Sequence, residues 1–195
     1  HITLHAGELA PGLVPPDGLR NHIRDSIEIG RAERIGHGVD VMYEDEPHHL
    51  LAEMARRNIM VEICLTSNDM ILGVKGKNHP LAQYLKAGVP VALATDDEGV
   101  ARSEITREFM KGVYEQDLDY PTLKRMVRTS IEHAFLPGQS LWQDGRRFVM
   151  GHECAADRPN IKSLTPPCQK LLNASEKARE EWKLEQKFAE FEAKY

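Results

Sequence analysis

Two adjacent carboxylates, Asp96 and Asp97, follow an apolar run of the sequence and could take part in catalysis. The run, residues 89–94, is nearly unbroken and lies between glycines, which is typical of a parallel strand buried on both faces. The carboxyl ends of parallel strands are where βα loops converge on an active site. Either aspartate could instead cap a helix that begins near Ser103, because Asp and Ser are preferred capping residues.

Polar residues of catalytic type also follow three other short apolar runs. These residues are His5, Gly7 and Glu8 after residues 1–4, His37 after residues 34–36, and Thr66, Ser67 and Asn68 after residues 59–65. Helix-like segments separate the four runs, so we predict successive βα units whose strand ends face a common site. A lone histidine is more often an ordinary core or surface residue, but the agreement of four strand ends favours a site.

The elements that position these residues follow from apolar spacing. It predicts helices within residues 19–30, 43–58 and 80–88, and the glycine-containing residues 68–78 predict a loop. Ser103 is expected to cap a helix that runs through Val113, and Pro121 to open the next one. The predicted organisation is an α/β domain over residues 1–136, an irregular tail over 137–173 and an amphipathic surface helix, with a solvated charged face, over 174–195.

Composition excludes several classes of partner. The chain has 195 residues, 41% of them hydrophobic, with a formal net charge of -5. Because acidic and basic residues are interspersed, we expect neither nucleic acid nor an anionic membrane as the main partner, and no apolar run approaches the roughly 20 residues of a membrane span. Three cysteines are too few for a disulfide scaffold. We expect Cys64 in the core, whereas Cys154 and Cys168 could pair, which gives a slight preference for an exported over a cytoplasmic protein.

The candidate residues suit a zinc site. A catalytic zinc ion takes imidazole and carboxylate ligands and keeps one position for water. His5 and Asp96 can supply two ligands, and His37 could be a third or could stand beside the bound water. Glu8, three residues after His5, would lie on the turn that leaves the strand, where a carboxyl group is suited to general acid catalysis.

Taken in order, the four motifs resemble those of the adenosine deaminase family. They are HAGE at residues 5–8, RIGHG at 34–38, TSN at 66–68 and TDD at 95–97. The resemblance covers about residues 1–135 and implies a metal-dependent (β/α)8 barrel, in which these motifs would end the fifth to eighth strands. The implied fold is therefore the C-terminal half of a TIM-type barrel with additional C-terminal helices.

The resemblance also implies hydrolytic deamination of adenosine or 2′-deoxyadenosine to the inosine product and ammonia. His5 and Asp96 would bind one Zn²⁺, and Asp96 would also hold the water. Glu8 would protonate N1 of the purine, and His37 would orient and stabilise the attacking hydroxide. The remaining roles are substrate binding by Gly7 and Asp97, the latter at N7 of the purine, and support of the site by Ser67 and Asn68.

The sequence departs from the family pattern in two places. Residues 98–100 are Glu-Gly-Val where the family often has proline, which affects the loop shape and the substrate subgroup. The His-x-His pair that would supply two more zinc ligands from the first strand does not occur, and the adjacent pair at residues 48–49 cannot replace it. We therefore expect the N-terminal half of the barrel to be a missing partner of this chain. Without it, the open sheet should expose apolar residues, namely Val61, Ile63, Val91 and Leu93.

Other functions stay open from the sequence. The chain could belong to a deaminase of adenine, of a modified adenosine or of an adenine nucleotide, or to a growth-factor-like barrel that has lost catalysis. Cytidine-type zinc deaminases use Pro-Cys-x-x-Cys, and this motif fails here because Cys168 is followed by Gln, Lys and Leu. The presence of Glu8, His37 and both aspartates favours an enzyme over a non-catalytic barrel.

Overall fold

The computed structural model describes residues 1–160 and 163–195 and contains two compact units, His1–Val127 and Arg128–Tyr195. No helix in these ranges is both long enough and apolar enough to cross a membrane. The predicted division at residues 136 and 173 stays a prediction.

The first unit alternates strands with helices. Its strands are β1 (Thr3–Ala6), β2 (Arg34–His37), β3 (Met60–Ile63) and β4 (Val91–Leu93), and its helices are α1 (His22–Glu28), α2 (Pro47–Arg57), α3 (Leu65–Leu72), α4 (Leu81–Ala87), α5 (Glu98–Ala101), α6 (Ile105–Gln116) and α7 (Tyr120–Glu132), the last of which continues into the second unit. Short 3-10 turns lie at Pro16–Leu19, Val41–Tyr43 and Gly76–Asn78. The four strands pair in parallel in chain order, which confirms the predicted βα succession.

The strand register separates a polar row from an apolar one. His5 lies beside Gly36, Gly36 beside Glu62, and Glu62 beside Ala92. The neighbouring row, Leu4, Ile35, Val61 and Val91, belongs to the apolar core that the helices cover. Because side chains alternate along a strand, these rows lie on opposite faces of the sheet.

One expectation about this sheet is wrong. An open sheet is predicted to expose four apolar residues, but each of them is at most 8% exposed, namely Val61, Ile63, Val91 and Leu93. Their side chains point toward the helices of the same unit, so they need no opposite wall. The opposite face of the sheet, which these helices do not cover, carries His5 and Glu62 instead. The apolar content of a strand does not indicate which of its faces packs against the helices.

Two further local expectations differ from the structure. Residues 68–72 form part of α3 rather than a loop, and α3 ends at Gly73, whose φ of 67° is the left-handed conformation that glycine adopts readily. Ser103 does not cap the next helix, because α6 begins after Glu104 and the Ser103 hydroxyl is buried without a hydrogen-bond partner among the described residues. By contrast, α4 ends at Gly88 as predicted, again with positive φ.

The second unit packs around its own core. It contains the antiparallel pair β5 (Trp142–Asp144) and β6 (Val149–Met150), then α8 (Pro166–Ala174) and α9 (Glu176–Glu192), so the segment that showed no periodicity holds a hairpin and a helix. The face of α9 is not simply solvated, because Glu181 and Glu185 are buried beside Trp182. Arg128 forms a two-pronged ion pair with Glu185, at 2.6 and 2.7 Å. Glu181 accepts the Leu141 backbone N–H at 2.7 Å, and burial raises the pKa of Glu181 to about 8.

A disulfide between Cys154 and Cys168 lies in this core, as predicted, while Cys64 is a buried free thiol. The disulfide closes a loop with a sequence separation of 14 residues. Replacing both cysteines by serine should therefore lower the free energy of unfolding by about 3 kcal/mol, since the unfolded chain gains loop entropy. Urea unfolding measures this loss, and reductant should lower wild-type stability by a similar amount without affecting the variant. Equal stabilities of the oxidised wild type and the variant would contradict the expectation.

Candidate active site

The turn after β1 brings Glu8 back to His5. Gly7 has a φ of 81°, and a β-carbon there would lie 2.7 Å from Asp40 Oδ1 and 2.9 Å from Ile23 Cδ1. Only glycine therefore fits this turn. His5 itself lies within β1, one residue before the last residue of the strand, and its Nε2 atom is 3.2 Å from Glu8 Oε2. The imidazole is 67% exposed on the open face, whereas the Glu8 side chain is only 14% exposed.

His37 and Asp96 both have left-handed backbone conformations, with φ of 75° and 57°. Such conformations cost non-glycine residues about 1–3 kcal/mol and cluster at functional sites. His37 is the last residue of β2, and the turn behind it is held by Tyr84, whose hydroxyl donates to the Gly38 carbonyl at 2.6 Å. These contacts fix the buried imidazole of His37 at the sheet edge where Glu8 lies.

Three side chains could hold a metal ion together. Ligand atoms of His5, Glu8 and His37 all lie within 4.8 Å of one another. The two imidazole rings have centroids 4.5 Å apart, and His37 Nδ1 is 3.5 Å from Glu8 Oε1. Two imidazoles and a carboxylate are ligand types that zinc takes in proteins, so the residues present fit this ion.

Asp96 joins the cluster through Ser67. The Ser67 hydroxyl lies 2.7 Å from Asp96 Oδ2 and 3.4 Å from Glu8 Oε1. Asp96 Oδ2 is also 4.0 Å from His37 Nε2, opposite the ring atom that faces Glu8. The structure thus gathers His5, Glu8, His37 and Asp96, while Asp97 lies at the exposed start of α5.

One residue that positions this site was not predicted from the sequence. Glu108 of α6 is fully buried, and both of its carboxylate oxygens lie 3.2 Å from the backbone nitrogen of Thr66. Thr66 is in the first turn of α3, where unpaired N–H groups and the helix dipole favour an anion. Glu108 therefore anchors the helix that carries Ser67 and Asn68. The only signal in the sequence is a carboxylate beside Phe109 on an amphipathic helix, which does not identify a partner 42 residues away.

Burial sets the charge of several groups near the site. It lowers the pKa of His37, against the opposing effect of the Glu8 carboxylate. It lowers the pKa of His79 to about 4, and it raises the pKa of the Cys64 thiol. At neutral pH, His79 is therefore a neutral ring and Cys64 an unreactive thiol.

Asp40, beneath the Gly7 turn, gives a pH-dependent prediction. Its carboxyl is fully buried without a side-chain partner among the described residues, and burial raises its pKa to about 7 from 3.8. The folded state then binds the proton of Asp40 more tightly than the unfolded state does. The stabilisation of the folded state by this proton is complete below about pH 4 and is lost as pH rises through about 7. The loss corresponds to about 4 kcal/mol at 1.36 kcal/mol per pKa unit.

Asp40→Asn cannot ionise and should remove most of this loss. Urea unfolding at pH 5 and pH 8 should show a smaller fall in stability for the variant than for the wild type. The exposed Asp17→Asn serves as the matched control and should fall as the wild type does. An Asp40→Asn variant that loses as much stability between pH 5 and pH 8 as the wild type would contradict the assignment of this loss to Asp40.

These elements define an α/β protein with a histidine and carboxylate site at the carboxyl edge of a parallel sheet. The family model described as adenosine deaminase matches residues 1–142. The adenosine deaminase of Clostridium perfringens strain ATCC 13124 is 33% identical over 135 residues, which are 69% of this chain and 37% of that protein. The adenosine deaminase of Salmonella heidelberg is 34% identical over 157 residues, 80% of this chain and 42% of that protein.

Solved structures of two deaminases are also similar to this chain. The apo N6-methyl-AMP deaminase from Arabidopsis thaliana is 28% identical with a TM-score of 0.55, over 70% of this chain and 37% of that chain. The adenine deaminase from Arthrobacter aurescens shares the fold, with a TM-score of 0.57 and 23% identity over 69% of this chain and 38% of that chain. The chain belongs to the adenosine deaminase family. It spans about 37–42% of the length of the curated relatives it matches.

Proposed function

We propose that the protein carries out zinc-dependent hydrolytic deamination of adenosine or 2′-deoxyadenosine, releasing ammonia and the inosine product. The observation that carries this proposal is the position of Glu8, whose carboxylate lies within 3.5 Å of both His5 and His37 on the open side of the sheet. Membership of the adenosine deaminase family supports the reaction class. The curated relatives named above support adenosine as the substrate.

His5 and Asp96 are the residues that would hold zinc, with further ligands supplied from outside this chain. When bound, zinc lowers the pKa of water to about 7, which makes hydroxide available at neutral pH. The proximity of Glu8 to His5 also makes Glu8 a candidate zinc ligand. Mutation of Glu8 should lower the zinc content if Glu8 is a ligand and leave it unchanged if Glu8 is the proton donor. Ser67 holds Asp96 in either case, through the 2.7 Å hydrogen bond.

The chain's own residues would bind and protonate the purine. Attack at C6 puts negative charge on the ring, and a proton delivered to N1 neutralises it. Glu8 is suited to this step because it is largely buried yet lies at the open face. His37 would orient the attacking group at C6, Asp97 would hydrogen-bond N7, and Gly7 would line the substrate because its turn admits no side chain.

We further propose that the four strands are the C-terminal half of a (β/α)8 barrel. The polar row on the uncovered face, which includes His5 and Glu62, is where the interior of a closed barrel would lie. Among the described residues, each edge strand, β1 or β4, pairs with a neighbouring strand on one side only. The backbone groups on its other side are left to pair with a further strand. A preceding region with a His-x-His pair would complete the sheet and the zinc site.

The disulfide supports an exported protein. Disulfides form and persist in oxidising compartments and are rare in the cytosol. The Cys154–Cys168 bond stabilises the core of the second unit, so we propose an oxidising location for the protein.

Alternative substrates are adenine, a modified adenosine and an adenine nucleotide. The likeness to an N6-methyl-AMP deaminase favours testing nucleotides. The experiment offers zinc-loaded protein adenosine, 2′-deoxyadenosine, adenine, AMP and N6-methyl-AMP, with and without a preceding His-x-His region. Ammonia from adenosine or 2′-deoxyadenosine, only when that region is present, supports both proposals. Exclusive turnover of another substrate would correct the substrate, and no turnover of any would favour the non-catalytic barrel.

A further inference from the structure

A chain of buried hydrogen bonds leads from α4 to His37, and its direction can be read from its far end. The backbone N–H of Leu81 donates to His79 Nδ1 at 3.2 Å. A backbone amide is only a donor, so this ring nitrogen carries no proton. His79 is 2% exposed and has a pKa of about 4, so its ring is neutral at pH 7. Its single proton therefore lies on Nε2.

That proton orients the amide of Asn68. His79 Nε2 lies 3.1 Å from Asn68 Oδ1, so the N–H donates to the amide oxygen. The amide nitrogen then points the other way, and Asn68 Nδ2 lies 3.1 Å from His37 Nδ1. Glu8 Oε1 lies farther from this nitrogen, at 3.5 Å, which is longer than a normal hydrogen bond, so Asn68 is its hydrogen-bond partner. Since an amide NH₂ group can only donate, His37 Nδ1 is the acceptor. All three side chains are nearly or fully buried, so water does not compete for these bonds.

We propose that Asn68 and His79 are positioning residues that hold His37 in the tautomer with its proton on Nε2. Nε2 is the nitrogen on the Asp96 side, 4.0 Å from Asp96 Oδ2, so the ring presents a donor toward that carboxylate. The catalytic consequence rests on the proposed function, in which His37 acts on the attacking group. The hydrogen-bond assignment itself does not depend on that function.

The role matters because a histidine acts through one defined nitrogen. In the opposite tautomer, Nε2 would be an acceptor and the donor would point at Asn68. Loss of the residue that fixes the tautomer of a catalytic histidine can cost about 10⁴-fold in turnover in the best studied triad. Mutation of a residue that hydrogen-bonds a metal ligand typically lowers metal affinity or activity by 10–100-fold. We expect Asn68 to fall in this range and His79, which acts through Asn68, to have a smaller effect.

The test is ¹⁵N NMR of the purified protein with labelled histidine, which reports the protonation of each ring nitrogen. In the wild type, His37 should have a bare Nδ1 and a protonated Nε2. Asn68→Asp replaces the NH₂ donor by an acceptor and should move the proton of His37 to Nδ1. The exposed Asn21→Asp is the matched control and should leave His37 unchanged.

His79 is tested by two variants. His79→Gln keeps an N–H that can donate to Asn68 and should preserve the tautomer, whereas His79→Leu removes the donor and should yield a mixture. In kinetics, Asn68→Asp should lower kcat by roughly 100-fold with little change in KM, by analogy with partners of metal ligands. His79→Gln should retain most of the activity lost in His79→Leu.

A wild-type His37 with a protonated Nδ1 or a bare Nε2 would overturn the proposal, and so would an unchanged tautomer in Asn68→Asp. If the wild type does not deaminate any purine, the proposed function fails, but the NMR result still decides the tautomer. The wild-type spectrum is sufficient for that decision even if the Asn68 or His79 variants do not fold.

Discussion

Replacing Glu8 by glutamine is expected to lower the turnover of adenosine by roughly 100-fold or more, the usual scale for a general acid or base. Glutamine keeps the size of the side chain and can still hydrogen-bond Ser67, which lies 3.4 Å from Glu8 Oε1. It cannot deliver a proton to N1, so the charge that develops on the purine would stay unneutralised. Zinc content should remain near the wild-type value, because Glu8 is proposed to act on the substrate and not on the metal.

Steady-state kinetics together with metal analysis of the same samples measure both quantities. Glu28→Gln, at the exposed end of α1, is the matched control and should change neither. Loss of zinc in parallel with activity would instead show that Glu8 is a ligand. That outcome is physically reasonable because His5 and Glu8 are already at ligand spacing, so the metal analysis is an essential part of the experiment.

Asp96→Asn is expected to act in the opposite order, losing zinc first and activity as a result. The neutral amide is a much poorer zinc ligand than a carboxylate, and the hydrogen bond from Ser67 no longer stabilises a charge. We expect zinc affinity to fall by roughly 100-fold or more, since even partners of ligands cost 10–100-fold. Competition with a chelator measures the affinity.

Asp17→Asn provides the control, because Asp17 has a side chain 93% exposed to solvent. It should bind zinc as the wild type does. Added zinc should recover part of the Asp96→Asn activity if the main defect is metal loss. An Asp96→Asn variant that keeps zinc yet loses turnover would place Asp96 among the residues that act on water or substrate rather than among the ligands.

The parallel strands and their order could be predicted because local patterns determine them. Each of the four apolar runs is followed by polar side chains, and the topology of βα units then brings those side chains to one edge. His5, Glu8, His37 and Asp96 meet for this reason.

What the sequence did not predict depends on contacts distant along the chain. Glu108 is buried because α6 places it against the start of α3, and Glu185 because Arg128 lies opposite. In isolation, both residues have the pattern of a solvated helix face. The short hairpin of β5 and β6 has only two or three residues per strand, too few for an alternating pattern to be recognised. The buried bonds of Asn68 are likewise set by residues on other elements.

Zinc dependence is tested by a zinc titration of metal-free protein, joined to a preceding region that contains His-x-His, while the ultraviolet conversion of adenosine is recorded. Turnover should rise in proportion to added zinc and stop rising at one equivalent per active site. Conversion that is independent of zinc, or one bound equivalent of zinc without any conversion, would contradict the proposed zinc-dependent deamination.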